Sequence, residues 1–216
     1  MSVEAFCVAT AHLFGDALPG QHRLRHRIFV DRQHYDVPVH DGMEFDQFDT
    51  PAAWYVVRRD EHNVVRAINR LIPTTRPYML PALWPDLVQA CDLPANARIW
   101  EGSRIGVDGS LDARLRDRYF SELLCGVLEF GLHMGIDWYI GVMPTAIAKR
   151  SMAGAGLDVE WLGEPRVIGQ SWNVVPLRIN VTEASLAEVR RRKNIDGPVL
   201  ARSGLPGDEH RQAMAA

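Results

Sequence analysis

Three carboxylates stand close together in the segment MEFDQFDT, residues 43–50. The carboxylates of Glu44, Asp46 and Asp49 repel one another, and the rings of Phe45 and Phe48 between them favour partial burial. If the chain turns at Asp46, the side chains of Asp46 and Asp49 can converge. The segment is therefore either a solvated loop or a site where carboxylates and aromatic rings bind an ammonium or sulfonium cation.

A second group of polar residues lies inside the apolar segment IWEGSRIGV, residues 99–107, which has the pattern of a β-strand. Strand alternation places Glu101 and Ser103 on one face and Arg104 on the other. A carboxylate in a buried strand is costly unless it is paired or used in chemistry. Glu101 therefore either forms an ion pair with an arginine of a neighbouring strand, such as Arg70, or acts as a general base whose pKa is raised by burial.

Two further arginines stand in apolar surroundings. Arg70 lies within AINRLIP, residues 67–73. It either offsets nearby carboxylates, as Arg104 can, or binds the carboxylate of a ligand through its forked guanidinium.

Arg25 precedes Phe29 and Tyr35 in a segment with helical spacing, just before the acidic segment. Arg25 either contributes to a site with those carboxylates or belongs to a core helix from which its side chain extends to the surface.

The remaining pattern predicts the elements that must position these groups. Apolar alternation predicts strands and amphipathic runs predict helices, with glycines at 135 and 156 ending two of the helices. The predicted strands cover residues 53–59, 64–72, 99–107, 137–143 and 174–181, and the predicted helices cover residues 20–31, 120–134, 145–155 and 183–193. Their order predicts one α/β sandwich with a mixed sheet. Neither a dinucleotide-binding nor a phosphate-loop glycine motif is present.

The composition is typical of a globular protein, with 47% apolar and 24% charged residues among 216. We expect one domain over residues 1–196 and a loosely held tail, rich in Gly, Pro and charge, over residues 197–216. The net charge of -3 argues against nucleic-acid binding, and no apolar run is long enough to span a bilayer. The three cysteines and eight histidines show no metal-ligand spacing, so we expect no metal and a reducing cytoplasm.

Four motifs in order give a family resemblance: LRHRIF, MEFDQFDT, RLIPTTRPYML and IWEGSR. Together they resemble the acyl-homoserine-lactone synthases, the LuxI-type autoinducer synthases. The resemblance runs from Leu24 to Arg104 and continues more loosely to Val181. It implies the acetyltransferase-like (GNAT-like) α-β-α sandwich with a mixed central sheet.

The resemblance also implies a quorum-sensing reaction. In that family an acyl group is transferred from a thioester, on acyl carrier protein or coenzyme A, to the amine of S-adenosylmethionine. Lactonisation then gives N-acyl-L-homoserine lactone and methylthioadenosine. S-adenosylmethionine is a substrate here, so no cofactor is expected.

By the same resemblance, the family's motif residues fall on two groups of positions. Glu101 is the candidate base, and Arg70 and Ser103 complete the expected catalytic set. The residues expected to form or order the adenosylmethionine pocket are Arg25, Phe29, Tyr35, Asp46, Asp49, Trp84 and Arg104. The sequence departs from the family at Tyr35 and Trp84, which keep an aromatic side chain, and at Ile105, where an aromatic residue is usual.

The second half of the chain is expected to select and receive the acyl donor. The acyl-chain pocket is assigned to Trp138, Met143, Thr145, Met152 and Leu157. Thr145 falls where some family members have a Thr that favours a 3-oxo acyl chain, although a helix N-cap explains it equally well. Lys149 and Arg150 are either a solvated face or a docking site for the acidic carrier protein.

Two other functions stay open from the sequence. One is an acetyltransferase-like enzyme that uses acyl-coenzyme A to acylate a different amine. The other is a ligand-binding sensor that has lost catalysis, against which Glu101 and Arg70 argue because a pure binder does not need a buried base.

Overall fold

A computed structural model describes residues 2–168 and 172–207. Its strands are β1 (Val3–Cys7), β2 (Val39–His40), β3 (Met43–Glu44), β4 (Trp54–Arg59), β5 (Val65–Pro73), β6 (Ile99–Val107), β7 (Trp138–Pro144), β8 (Val159–Trp161), β9 (Arg166–Ile168) and β10 (Trp172–Asn180). Eight of them form the central sheet in the order β1, β4, β5, β6, β7, β10, β8, with β9 beside β10. Strands β6 and β7 are parallel and the other neighbours are antiparallel, which confirms the predicted mixed sheet.

Helices cover both faces of this sheet. The helices are α1 (Ala17–Arg25), which continues as a π-helix through His26–Arg32, then α2 (Met79–Leu83), α3 (Ala113–Met134), α4 (Thr145–Ile147) and α5 (Glu183–Lys193). One face packs Leu24 of α1 against Tyr55 and Ile68, and the other packs Phe130 of α3 against Trp54 and Trp100. These two apolar layers confirm the α/β sandwich.

The helix boundaries follow local signals. The carboxylate of Asp112 accepts a hydrogen bond from the N–H of Leu115 and caps α3, which therefore begins earlier than predicted. Gly135 ends α3 with a φ of 69°. The predicted helix over residues 145–155 is helical throughout but irregular, since α4 passes into a π-turn at Ala148–Met152 and a tighter turn at Ala153–Ala155.

The parallel strands β6 and β7 open into a cleft. They pair from Ile99 with Trp138 to Glu101 with Ile140, although both strands continue further. Just past the last pair, a Cβ on Gly141 would lie 2.6 Å from the carbonyl oxygen of Gly102. Glycine at 141 allows this close approach, and the cleft begins directly beside Glu101.

The segment after α5 is held more firmly than the sequence indicates. The N–H of Val3 donates to the carbonyl of Val199 at 2.8 Å, and the N–H of Ala201 donates to the carbonyl of Val3 at 2.7 Å. The carboxylate of Glu129 accepts the N–H groups of Val199 and Leu200. Backbone pairing and the carboxylate of Glu129 therefore hold residues 199–201 against the domain, and the division into a domain and a loosely held tail stays a prediction. Residues 208–216 lie outside the described residues.

Within the described residues, no helix combines the length and the apolar character that a membrane crossing requires.

Candidate active site

The acidic segment forms a tight turn that faces inward. The N–H of Asp46 donates to the carboxylate of Asp49 at 2.8 Å, and the N–H of Phe48 donates to that of Asp46 at 2.9 Å. The Asp46 side chain is 10% exposed and that of Asp49 is 8% exposed. The expected convergence at Asp46 is confirmed, and the solvated-loop alternative is wrong.

Three guanidinium groups neutralise the three carboxylates of this turn. Arg25 binds both oxygens of Asp49, at 2.6 and 2.9 Å, and also pairs with Glu44. Arg70 reaches Asp46 at 2.5 Å and Asp49 at 3.0 Å. Arg104 reaches Glu44 at 3.0 Å and Asp46 at 2.8 Å. We call these six residues the ion-pair cluster.

The ion pairs of the cluster favour the charged forms of Asp49 and Arg25. Burial alone raises the pKa of Asp49, but the hydrogen bonds from Arg25 and the positive charge of Arg70 outweigh it, so the pKa lies well below the ordinary range. Burial likewise disfavours the Arg25 guanidinium, yet its bonds to Asp49 and Glu44 raise its pKa above the usual value. The cluster is thus a fixed and internally compensated set of charges.

A cavity of about 600 Å³ opens beside the cluster, where β6 and β7 diverge. Its polar lining includes Glu101, Ser103 and Arg104. Arg25, Asp46, Asp49 and Arg70 do not border it. These four residues lie behind the residues that border the cavity, where they orient Arg104 and Ser103. The negative charge that the acidic segment was expected to offer a ligand is already paired with arginines.

A bulge in β6 brings Arg104 to the cluster. Its φ is 54°, and the β5–β6 register shifts between Ile68 and Arg70. The extra residue turns Arg104 to the face that carries Arg70 and Ser103, whose hydroxyl accepts a bond from Arg70 at 3.1 Å. The prediction that Arg104 lies on the opposite face from Glu101 and Ser103 is wrong, because strand alternation fails at a bulge.

Glu101 is a buried carboxylate without an ion-pair partner in the described residues. It is 2% exposed, and its two oxygens accept the N–H groups of Met79 at 2.9 Å and Leu80 at 2.8 Å. The interpretation as an ion pair with Arg70 is wrong, since Arg70 pairs with Asp46 and Asp49. Burial raises the pKa of Glu101 to about 7, although the two N–H groups and the charge of Arg70 oppose the shift. This carboxyl can exchange a proton near neutral pH.

Aromatic rings line the same cavity. The rings of Phe29 and Tyr35 stack with centroids 5.7 Å apart, and the ring of Trp172 meets Tyr35 edge-on at 6.0 Å. Trp84 completes the aromatic lining, and the Arg104 guanidinium lies 5.3 Å from the Phe29 ring centroid. Phe29, Tyr35 and Trp84 were expected here from the resemblance. Trp172 was not, and neither was Met79, whose N–H holds Glu101, since both lie outside the segments that appeared polar or charged.

The predicted acyl-chain residues divide into two groups. A smaller cavity of about 40 Å³ is bordered by Met143, Met152 and Leu157, and Met143 also borders the larger one. Trp138 and Thr145 border neither cavity. The Trp138 ring lies under the guanidinium of Arg178 at 4.6 Å, and the Thr145 hydroxyl donates to the carbonyl of Asn173 at 3.2 Å.

Thr145 is the first residue of α4, and the N-cap position belongs to Pro144. The N-cap interpretation of Thr145 is therefore wrong, and its assignment to the acyl-chain pocket stays a prediction.

The two candidate docking residues differ in position. Arg150 is exposed and borders the larger cavity, together with Arg32, Arg116 and Lys193. Lys149 is exposed and does not border it. Of the bordering cations, Lys193 pairs with Asp117 at 2.7 Å. Basic side chains therefore border this cavity, together with the carboxylate of Asp117.

Comparisons with known proteins agree with this geometry. The autoinducer synthase family matches residues 14–189. The isovaleryl-homoserine lactone synthase of Bradyrhizobium diazoefficiens is 31% identical over 196 residues, which cover 88% of this chain and 81% of that protein. The solved structure of the CoA-dependent acyl-homoserine lactone synthase BjaI, with SAM and isopentyl-CoA, superposes with a TM-score of 0.85 at 27% identity, covering 98% of this chain and 99% of that one.

A more distant match concerns the fold alone. A chain described as an N-acetyltransferase from Lactobacillus plantarum is 13% identical and superposes with a TM-score of 0.54, over 84% of this chain and all of that one. The acetyltransferase-like sandwich is thus confirmed. The motif resemblance, the fold and the family match agree, and the chain belongs to the autoinducer synthase family, the acyl-homoserine-lactone synthases, which are acyltransferases.

Proposed function

We propose that the chain makes a quorum-sensing signal by joining an acyl group to the amine of S-adenosylmethionine and closing the product to an N-acyl-homoserine lactone. One observation carries the proposal. Glu101, a buried carboxyl whose pKa is raised to about 7, borders a cavity of about 600 Å³ between a guanidinium and a set of aromatic rings. This is the environment that a base for an amine nucleophile requires.

The first chemical step is acyl transfer. Glu101 accepts a proton from the substrate ammonium, directly or through one water, and so frees the nitrogen lone pair. The nitrogen attacks the thioester carbonyl, the C–N bond forms, and the C–S bond breaks as the thiolate leaves. The acylated nitrogen gives its second proton to the leaving thiolate, and the proton on Glu101 passes to solvent, which restores the charged carboxylate.

The second step closes the lactone. A carboxylate oxygen of the methionyl group attacks the carbon that bears the sulfonium, and the C–S electron pair leaves with neutral methylthioadenosine. The carboxylate is already ionised, so this step needs positioning rather than a base. We assign that positioning to Arg104, whose guanidinium is fixed by Glu44 and Asp46 at the cavity wall.

The roles of the remaining residues follow from their positions. Phe29, Tyr35 and Trp84 line the cavity and are assigned to the adenosyl group and the sulfonium charge, which aromatic faces attract. Arg25, Asp46, Asp49, Arg70 and Ser103 are assigned to holding Arg104 and the β6 bulge in place. Their contribution to adenosylmethionine binding is therefore indirect, except for Ser103, which borders the cavity.

We propose a short acyl group carried on coenzyme A. The smaller cavity of about 40 Å³ holds about three groups the size of a water molecule. A curated relative is named for an isovaleryl product, and the BjaI structure is described with SAM and isopentyl-CoA. The positive charges of Arg32, Arg116 and Arg150, which border the larger cavity, match the phosphates of coenzyme A. Carrier-protein docking at Lys149 and Arg150 is the alternative, and the cytoplasmic location stays a prediction.

The test of the reaction is a product assay with purified protein, S-adenosylmethionine and isovaleryl-coenzyme A. We expect methylthioadenosine and an acyl-homoserine lactone in equal amounts by liquid chromatography and mass spectrometry. Acyl transfer to another amine, with no methylthioadenosine released, would favour the alternative N-acyltransferase and reject the proposal.

The test of the donor is a matched pair of charge reversals. With a coenzyme A donor, Arg150→Glu should raise the KM for the donor severalfold, because Arg150 borders the cavity, whereas Lys149→Glu should change it little. Equal effects of both variants, together with faster turnover of an acyl carrier protein donor, would indicate protein docking instead.

A further inference from the structure

Asn69 in β5 projects an amide group against the β6 bulge. Its Nδ2 donates to the carbonyl of Ser103 at 2.9 Å and to that of Arg70 at 3.3 Å, and the residue is 5% exposed. Carbonyl oxygens only accept hydrogen bonds, so these contacts fix the nitrogen end of the amide toward the bulge. The orientation of Oδ1 is thereby fixed as well, on the other side of the amide.

Oδ1 of Asn69 has no hydrogen-bond partner within the described part of the chain. Asn69 borders the smaller cavity, whose lining is otherwise mostly apolar and includes Leu128, Met152 and Leu177. Tyr139 also borders this cavity, but its hydroxyl proton is donated to the carbonyl of Val127 at 2.9 Å. The small cavity therefore offers an amide oxygen that accepts hydrogen bonds and is not yet used.

The position of Asn69 relates this oxygen to the acyl group. A Cβ on Gly102 would lie 3.7 Å from Oδ1, and Gly102, Ile105 and Met143 border both cavities. The thioester carbonyl must lie near Glu101 for the amine to attack it. An acyl chain that enters the smaller cavity past Gly102 therefore brings its first few carbons to Asn69.

We propose that Asn69 is a specificity-determining residue that selects an acyl group with a hydroxyl on its third carbon. The inference rests on the proposed acyl transfer. A hydroxyl donates to Oδ1, whereas a methyl group of the same size leaves a buried acceptor unpaired. A 3-oxo group places a second hydrogen-bond acceptor against Oδ1 of Asn69. The two oxygens repel each other, so this donor should bind less well than the donors with a hydroxyl or a methyl group.

The experiment compares two acyl donors of nearly the same shape. In 3-hydroxybutyryl-coenzyme A a hydroxyl takes the place of one methyl group of isovaleryl-coenzyme A. We expect kcat/KM to be about tenfold higher for the hydroxyl donor, and lowest for 3-oxobutyryl-coenzyme A. In Asn69→Leu the ratio of the first two values should fall to about one.

The ratio separates specificity from folding, because a misfolded fraction lowers both rates equally. Met152→Leu, which alters the wall of the same cavity but keeps Asn69, is the control and should retain the preference. Equal kcat/KM values in the unaltered protein, turnover confined to donors without the hydroxyl, or an unchanged ratio in Asn69→Leu would overturn the role of Asn69. No methylthioadenosine with any acyl thioester would overturn the proposed function itself.

Discussion

Two sets of buried carboxylates lie side by side in this protein and behave in opposite ways. In the ion-pair cluster, Asp49 has guanidinium partners, which hold its pKa well below the usual range. Glu101 is more deeply buried and is bonded to backbone N–H groups instead, and its pKa rises to about 7. The comparison shows that the partner, rather than burial, decides whether a buried acid is structural or can exchange protons.

The largest expected effect concerns Glu101. Glu101→Gln should lower kcat by about 10²- to 10⁴-fold, because the amide cannot accept a proton from the amine. The dissociation constant for S-adenosylmethionine, measured by calorimetry, should change far less. Glu4→Gln is the control, since Glu4 is a partly buried carboxylate that pairs with Arg59 and does not border the cavity. Equal loss of binding and turnover would make Glu101 a structural residue.

A substitution in the ion-pair cluster should instead change the stability of the folded protein. Asp49→Asn leaves the buried ion-pair cluster with three guanidinium groups and only two carboxylates, and should lower the free energy of unfolding by about 3 kcal/mol, measured with urea. Asp117→Asn removes a partner of Lys193, but Asp117 is 65% exposed, so the same measurement should show less than about 1 kcal/mol. Similar losses in the two variants would contradict the assignment of the cluster as a buried structural unit.

The two regions should also give opposite slopes in the pH dependence of stability. Between about pH 4.5 and 7 the folded protein keeps a proton on Glu101 that the unfolded chain has released, so stability falls as pH rises through this window. Asp49 has a lowered pKa, so its stabilisation is present above the ordinary aspartate value and is lost as pH falls.

Subtracting the unfolding curve of Glu101→Gln from that of the unaltered protein isolates the first slope. We expect about 3 kcal/mol across the window, from about 1.36 kcal/mol per pKa unit. A flat difference curve would mean that Glu101 titrates at an ordinary pH.

The smallest expected effect tests the backbone contact of Glu101. Met79→Pro removes one N–H that stabilises the charged carboxylate, and the position tolerates proline because Tyr78 before it is extended and Met79 begins α2. The acid limb of kcat/KM should move up by about one pH unit relative to Met79→Ala, which loses the same side chain but keeps the N–H.

Two neighbours of Glu101, Arg70 and Tyr78, do not titrate in this range. Ion pairs with Asp46 and Asp49 keep Arg70 charged and its pKa raised, and burial followed by the charge of Glu101 raises the pKa of Tyr78 to about 12. Identical acid limbs in the pH profiles of kcat/KM of Met79→Pro and Met79→Ala would contradict a role of the Met79 N–H in setting the pKa of Glu101.

The comparison also explains what the sequence could predict. Strand and helix periodicity located β4 to β7, α3 and α5. The motif resemblance named a set of residues that all border the larger cavity: Phe29, Tyr35, Trp84, Glu101 and Arg104. The partners of Glu101 could not be found in this way, because Met79 and Leu80 belong to a short helix 22 and 21 residues earlier that carries no periodic signal.

The ion pairs of the acidic segment could not be predicted from the sequence either. The partners of Asp49 lie 24 and 21 residues away, at Arg25 and Arg70, so the acidic segment appeared unpaired in the sequence. Arg104 was assigned to the wrong face because a single bulge reverses strand alternation, and nothing in IWEGSRIGV marks that bulge.

The most direct test of the account is a carbon-13 NMR titration of the side-chain carboxyl groups, with Glu101 assigned from its absence in Glu101→Gln. We predict a midpoint near pH 7 for Glu101, while Asp49 stays ionised throughout the range in which the protein is folded. A midpoint for Glu101 near 4.5, the ordinary glutamate value, would contradict the account.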